Sequence, residues 1–213
     1  LGMRRSVFVG FVFSVFLFLI LYYNYKAIFI VVFAICAAFV FYTYILKDNT
    51  DSYNNILTKN EHNMDEYNRS TLAAENLRIY SDYPYGLIFY GKDWSDVTYP
   101  NEVFSSGITS HNAYLMFLTY VGPFLGLGIL AGLYYKIAKI IINAFRNVKK
   151  KKYALMVCLC CSFIAVSINS LSHNSWLVSA NGPTFFLYFA ILHLNFMLNR
   201  EAEIDEEVVV THT

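Results

Sequence analysis

The chain has 213 residues, of which 57% are hydrophobic, 18% aromatic and 15% charged, where ordinary soluble domains are about 45–50% apolar and about 25% charged. Mean hydropathy is +0.43, and 16 basic against 15 acidic residues leave a net charge of +1, so there is no global field for nucleic acid. These values exclude a soluble enzyme, a disordered protein and a nucleic-acid binder, and they point to lipid as the solvent.

A hydrocarbon core of about 30 Å takes about 20 apolar residues as a helix. Residues 6–23 and 27–46 meet that requirement. Residues 112–144 are too long for one span and carry Gly122-Pro123, which predicts a short interfacial helix up to Val121 and a span over about 124–143. Residues 153–171 and 183–198 complete five expected spans. The expected class is therefore all-α, a polytopic membrane protein with a large extracytoplasmic loop that contains a short helix. Its expected parts are two spans in 1–46, the loop in 47–111, the interfacial helix and three spans in 112–198, and an acidic cytoplasmic tail in 199–213. Cys36, Cys158, Cys160 and Cys161 all lie in apolar runs, and they read as small buried hydrophobes with neither zinc spacing nor a disulfide framework.

Orientation follows from basic loops. Lys136, Lys139, Arg146 and the run Lys149, Lys150, Lys151 and Lys152 place the loop between the third and fourth spans in the cytoplasm, where they also suit anionic lipid. Counting back and forward puts 45–111 and 172–182 outside. The chain opens on Leu1, outside and without a cleavable signal, so a preceding span is expected and the chain reads as the C-terminal part of a longer membrane protein. Arg4 and Arg5 then stand at the external end of the first span, against the positive-inside trend. Such a placement suits either a functional charge or a snorkelling anchor.

The polar segment 47–110 holds ten acids and five bases. Its start, 48–63, reads as irregular. Asp65 is a suitable N-cap for a helix over 66–82, stopped by Pro84 and Gly86. On that helix Arg69, Ala73, Asn76 and Tyr80 share one face, and Arg78 lies about 180° from Arg69, so a site served by this helix uses one arginine. Residues 85–107 have no period and read as a loop packed on the membrane face, with Asp93 and Asp96 as turn formers and Trp94 as a possible contact for sugar. His111 and Asn112 open the interfacial helix where the loop meets the membrane. Ser172-His173-Asn174 with Trp176 lies on the same side and reads as an interfacial anchor or, alternatively, as an acceptor-positioning loop.

Three pieces, in order and with matching sidedness, carry a resemblance. They are Met3-Arg4-Arg5-Ser6 opening an apolar span, Arg69 followed by Pro84-Tyr85-Gly86, and His111-Asn112-Ala113-Tyr114-Leu115 with Gly122 and Gly126 downstream. Together they resemble the O-antigen ligase/polymerase superfamily of bacterial polytopic glycan transferases, over roughly residues 1–145. The chain departs from that pattern in having Leu72 or Ala73 where an aromatic follows the arginine, and in having its next glycine after the P-x-G turn only at Gly91.

The resemblance implies a metal-independent and cofactor-free glycosyltransferase at the outer face of the plasma (inner) membrane. Its donor is a glycan on polyprenyl pyrophosphate, its acceptor a hydroxyl of a lipid or glycan, and its other partner membrane lipid. A lipid pyrophosphate leaves readily once its charge is compensated, and arginine offers planar bidentate donors that stay charged. The implied pyrophosphate contacts are Arg5, with Arg4 as substitute, and Arg69. His111 would accept the acceptor's proton or hydrogen-bond the leaving phosphate, so His111 and Arg69 are the candidate catalytic pair. Asn112, His173 and Trp94 are candidate glycan or acceptor contacts. No D-x-D carboxylate pair for a divalent ion occurs in the outer loop. A ligase is favoured, a repeat-unit polymerase is the near alternative, and a lipid-linked oligosaccharide flippase, which calls for ionisable residues at mid-span, is the reading from another class.

Overall fold

A computed structural model describes residues 5–24, 26–41, 69–98, 112–172 and 182–211. The apolar runs fold as α1 (Arg5–Tyr23), α2 (Lys26–Phe41), α6 (Pro123–Arg146), α7 (Ala154–Ser170) and α8 (Pro183–Thr211). The polar segment before α5 contributes α3 (Arg69–Asp82) and α4 (Trp94–Thr98), and α5 (Ala113–Val121) connects it to the bundle. Two 3-10 turns, Leu87–Tyr90 and Lys151–Tyr153, complete the elements. Every described element is helical. Two helices, Pro123–Arg146 and Lys151–Ser170, are long and apolar enough to cross a membrane.

Helix ends follow local chemistry. α1 stops at Asn24, which adopts a left-handed φ of 53°, a conformation asparagine tolerates at a helix C-terminus. α3 ends at Asp82, as Pro84 requires. The break between α5 and α6 falls at Gly122, whose φ of 90° and ψ of 148° no helix can hold, and Pro123 restarts the chain at N1. This is the interruption expected from Gly122-Pro123.

The main core lies between α6, α7 and α8. Ile137, Ile140, Met156, Val157, Cys160, Phe163, Leu187 and Ile191 are buried there, and Phe18 of α1 packs on the rim. α1 crosses α7 closely through small residues. A Cβ added at Gly10 would stand 2.7 Å from the Ala165 carbonyl oxygen, and the Ser14 hydroxyl donates to the Cys161 carbonyl at 3.0 Å. Small residues four apart let two backbones approach and hydrogen-bond in this way. A second, smaller core joins α3, the 3-10 turn and α4 to α5 through Ile79, Leu87, Trp94, Val97 and Met116. The outward faces of the bundle are apolar, with Phe29, Phe33 and Phe124 each at least 75% exposed.

Two expectations are corrected. Residues 87–98 are not loop but a 3-10 turn and a short helix, too brief for periodicity to reveal. α4 is set by a reciprocal cap, the Asp96 carboxylate accepting from the Asp93 amide at 2.8 Å, and the 3-10 turn ends on Gly91 in the left-handed region. The last span and the acidic residues after Leu198 belong to one helix that runs to Thr211. Of the four cysteines, only Cys160 is buried, while Cys36 and Cys158 face outward.

Candidate functional site

The α1–α7 crossing has an antiparallel register, Gly10 opposite Ala165 and Ser14 opposite Cys161. Arg5, five residues before Gly10, therefore begins α1 about 7.5 Å further along the axis, level with the C-terminal end of α7 at Ser170. The start of α5 reaches the same end, because the Tyr114 phenol donates to the Ser167 carbonyl at 3.0 Å. Three termini thus converge there: the start of α1 at Arg5, the start of α5 at Asn112, and the end of α7 leading through Ser172. His111 precedes Asn112 and His173 follows Ser172 in sequence; His111, His173 and Arg4 lie outside the described residues.

Asn112 is the N-cap of α5. Its Oδ1 accepts from the amides of Tyr114 at 3.0 Å and Leu115 at 3.1 Å, and the Met116 amide reaches the Asn112 carbonyl at 3.0 Å. The cap thus uses the donors that a phosphate takes at a helix N-terminus.

α3 docks on α5 through a buried polar cluster. The Thr119 hydroxyl bonds the Asn76 side-chain oxygen, and the Asn76 amide donates to the Leu72 carbonyl at 2.8 Å. The Tyr80 phenol donates to the Leu115 carbonyl at 3.0 Å, and burial pushes its pKa up. Asn76 and Tyr80 lie on the face the sequence grouped with Arg69, which begins α3 two turns before Asn76. Arg78 is committed elsewhere, as its opposite position implies. It pairs with Glu75 and Asp82 and donates to the Val97 carbonyl at 3.0 Å, so it ties α4 to α3. Its hydrogen bonds to the Glu75 carboxylate raise its pKa, with smaller Coulombic support from Glu75 and Asp82 against a desolvation penalty.

The Pro84-Tyr85-Gly86 turn meets the α5–α6 break backbone to backbone. Gly86 has φ 92° and Gly122 φ 90°. A Cβ at Gly86 would stand 2.2 Å from the Gly122 nitrogen, and one at Gly122 would stand 2.5 Å from the Tyr85 carbonyl oxygen. Only glycine satisfies both the backbone angle and the approach. Beside this crossing lies an apolar groove of about 570 Å³, lined by Tyr85, Phe89, Tyr90, Val121, Phe124 and Leu125 among others.

Trp94 requires a correction. It is 3% exposed, in the core with Leu87 and Met116, because the capped turn of α4 rotates its indole inward. It is not a surface for sugar. Sequence reasoning also missed Thr119, Tyr134 and Ser167. They lie in apolar or interfacial runs, and their partners are 20 to 53 residues away, beyond any local pattern. No family model, curated protein or solved structure matches the chain.

Proposed function

We propose that this chain is part of a plasma-membrane glycan transferase, with five spans and its working face outside the cytoplasm. In this reading it moves a glycan from polyprenyl pyrophosphate to an acceptor hydroxyl, as O-antigen ligases do. The observation that carries the reading is the meeting of the α1 start, the α5 start and the α7 end at one end of the bundle. Those termini bear Arg5, the His111-Asn112 pair and the Ser172-His173 pair in sequence. The outward apolar faces suit lipid, and the apolar groove beside Gly86 and Gly122 suits a hydrocarbon tail where the outer loop meets the bundle. Arg5 and Arg69 would neutralise the pyrophosphate, and His111 would take the acceptor's proton or hydrogen-bond the leaving phosphate.

Complementation of a deletion strain of the native host tests this, read on a surface-polysaccharide gel. Arg69→Ala and His111→Ala should abolish transfer while the protein still inserts in the membrane. Retained transfer in both variants overturns the site. In the deletion strain, a bare core with long chains accumulating on the carrier fits a ligase, whereas a core with one repeat unit fits the polymerase alternative. An unchanged ladder in a host without redundant copies counts against both and favours the flippase.

A further inference from the structure

Three hydroxyl groups join α5, α6 and α7. The Tyr114 and Tyr134 phenol oxygens are 2.7 Å apart, Tyr114 lies 3.0 Å from the Ser167 carbonyl oxygen, and Tyr134 lies 3.1 Å from the Ser167 hydroxyl. The three contacts have three protons to share. A carbonyl only accepts, so Tyr114 donates to Ser167 O. The Tyr134 phenol donates to the Ser167 hydroxyl at 3.1 Å, and between the two phenols either oxygen can donate. The three contacts close a circuit that touches Ser167 at both its hydroxyl and its carbonyl.

The carbonyl at which the circuit closes belongs to the last turn of α7, where a helix leaves its final acceptors without intrahelical donors. The neighbouring acceptors are accounted for. Ser170 Oγ donates to the Val166 carbonyl at 2.9 Å, the Leu171 amide to that of Ile168 at 3.1 Å, and the Ser172 amide to that of Asn169 at 3.0 Å. The Ser167 carbonyl is supplied from outside α7, by Tyr114. Tyr114 is two residues past the cap Asn112 and three past His111. Its only proton is spent on Ser167, so it has none to give to a substrate.

We infer that Tyr114 is a positioning residue: its phenol clamps the start of α5 to the end of α7, with Tyr134 holding the phenol in line, and so fixes where Asn112, the residue after His111 in sequence, stands. The inference rests on the proposed transferase reading for its catalytic consequence and on geometry alone for the clamp. It ranks three substitutions. Tyr114→Phe removes the bond that ties α5 to α7. Tyr134→Phe leaves that bond and removes its alignment. Ser167→Ala leaves the Tyr114 donation in place, because the carbonyl remains, and removes only the hydroxyl that accepts from Tyr134.

Hydrogen exchange of the full chain in lipid vesicles reads the clamp without any assay of activity. Losing one hydrogen bond of ordinary strength should speed exchange across 113–121 by about tenfold in Tyr114→Phe, about threefold in Tyr134→Phe and less than about twofold in Ser167→Ala, with α8 unchanged. Wild-type exchange in Tyr114→Phe, or equal acceleration in α8, overturns the clamp. In a transfer assay, Tyr114→Phe should lower kcat by about tenfold or more, as small misplacements of a catalytic group do. The donor KM and both limbs of the pH profile should stay as in the wild type. Loss of one limb would make Tyr114 a proton-transfer group and overturn the positioning role. If the wild-type chain transfers no glycan, the function proposal falls, and the exchange ranking still decides the clamp.

Discussion

Two close crossings hold this molecule together, and they depend on glycine for different reasons. Where α1 meets α7, Gly10 has ordinary helical backbone and is needed only for room, with the Ala165 carbonyl 2.7 Å from where a Cβ would stand. Where the Pro84-Tyr85-Gly86 turn meets the α5–α6 break, Gly86 and Gly122 lack room and also hold positive φ. Steric demand and conformational demand are separable costs, and two further glycines isolate them. Gly91 has φ 62° with nothing within 4 Å, and Gly128 is helical with nothing within 4 Å. Gly86, Gly10, Gly91 and Gly128 amount to a two-by-two experiment on what a missing side chain is for.

Alanine at each position gives the expected order, measured as thermal unfolding of the full chain in detergent. Gly86→Ala carries both costs and should destabilise by about 4 kcal/mol or more, the range of exceptional single substitutions. It should also release the polar segment of α3 and α4 to limited proteolysis while the bundle stays folded. Gly10→Ala carries the steric cost alone, about 1–3 kcal/mol, and should loosen α1 from α7 without freeing that segment. Gly91→Ala carries the conformational cost alone, about 1–2 kcal/mol. Gly128→Ala carries neither and should stabilise by about 0.5–1 kcal/mol through helix propensity. If Gly86→Ala costs no more than Gly91→Ala, the backbone contact with Gly122 contributes nothing and the comparison fails. If Gly10→Ala is neutral, the two helices have room to spare and their crossing is held by Ser14 alone.

The same contrast shows what the sequence makes legible. Gly122-Pro123 stops and restarts a helix by its own chemistry, so the boundary between α5 and α6 is visible from a few residues. The Pro84 stop of α3 and the shared face of Asn76 and Tyr80 are local in the same sense, and so is the separation of Arg78 from Arg69. Residues 87–98 escape because their helices last about one turn and are set by a single cap and a left-handed glycine. Trp94 is misread for that reason, its inward aim being decided by the Asp93–Asp96 cap. Gly10 and Ser14 give no signal, since small residues in an apolar run look like any others until a second helix lies on them. The pairing of Gly86 with Gly122 and the circuit through Tyr114, Tyr134 and Ser167 join distant parts of the chain. There the sequence names the pieces but not their partners.

The Ser14–Cys161 bond spans 147 residues of sequence, and that separation has a consequence in time. Ribosomes add about 5–20 residues per second, so α1 waits on the order of 10 s for the helix that receives it. α3 waits much less for α5, since Thr119 follows Asn76 by 43 residues. During the longer interval the Ser14 hydroxyl has no Cys161 to meet, and the nearest acceptor is a carbonyl one turn back in its own helix. The first helix is thus synthesised early and joined late, and its small-residue face stays open until α7 is made.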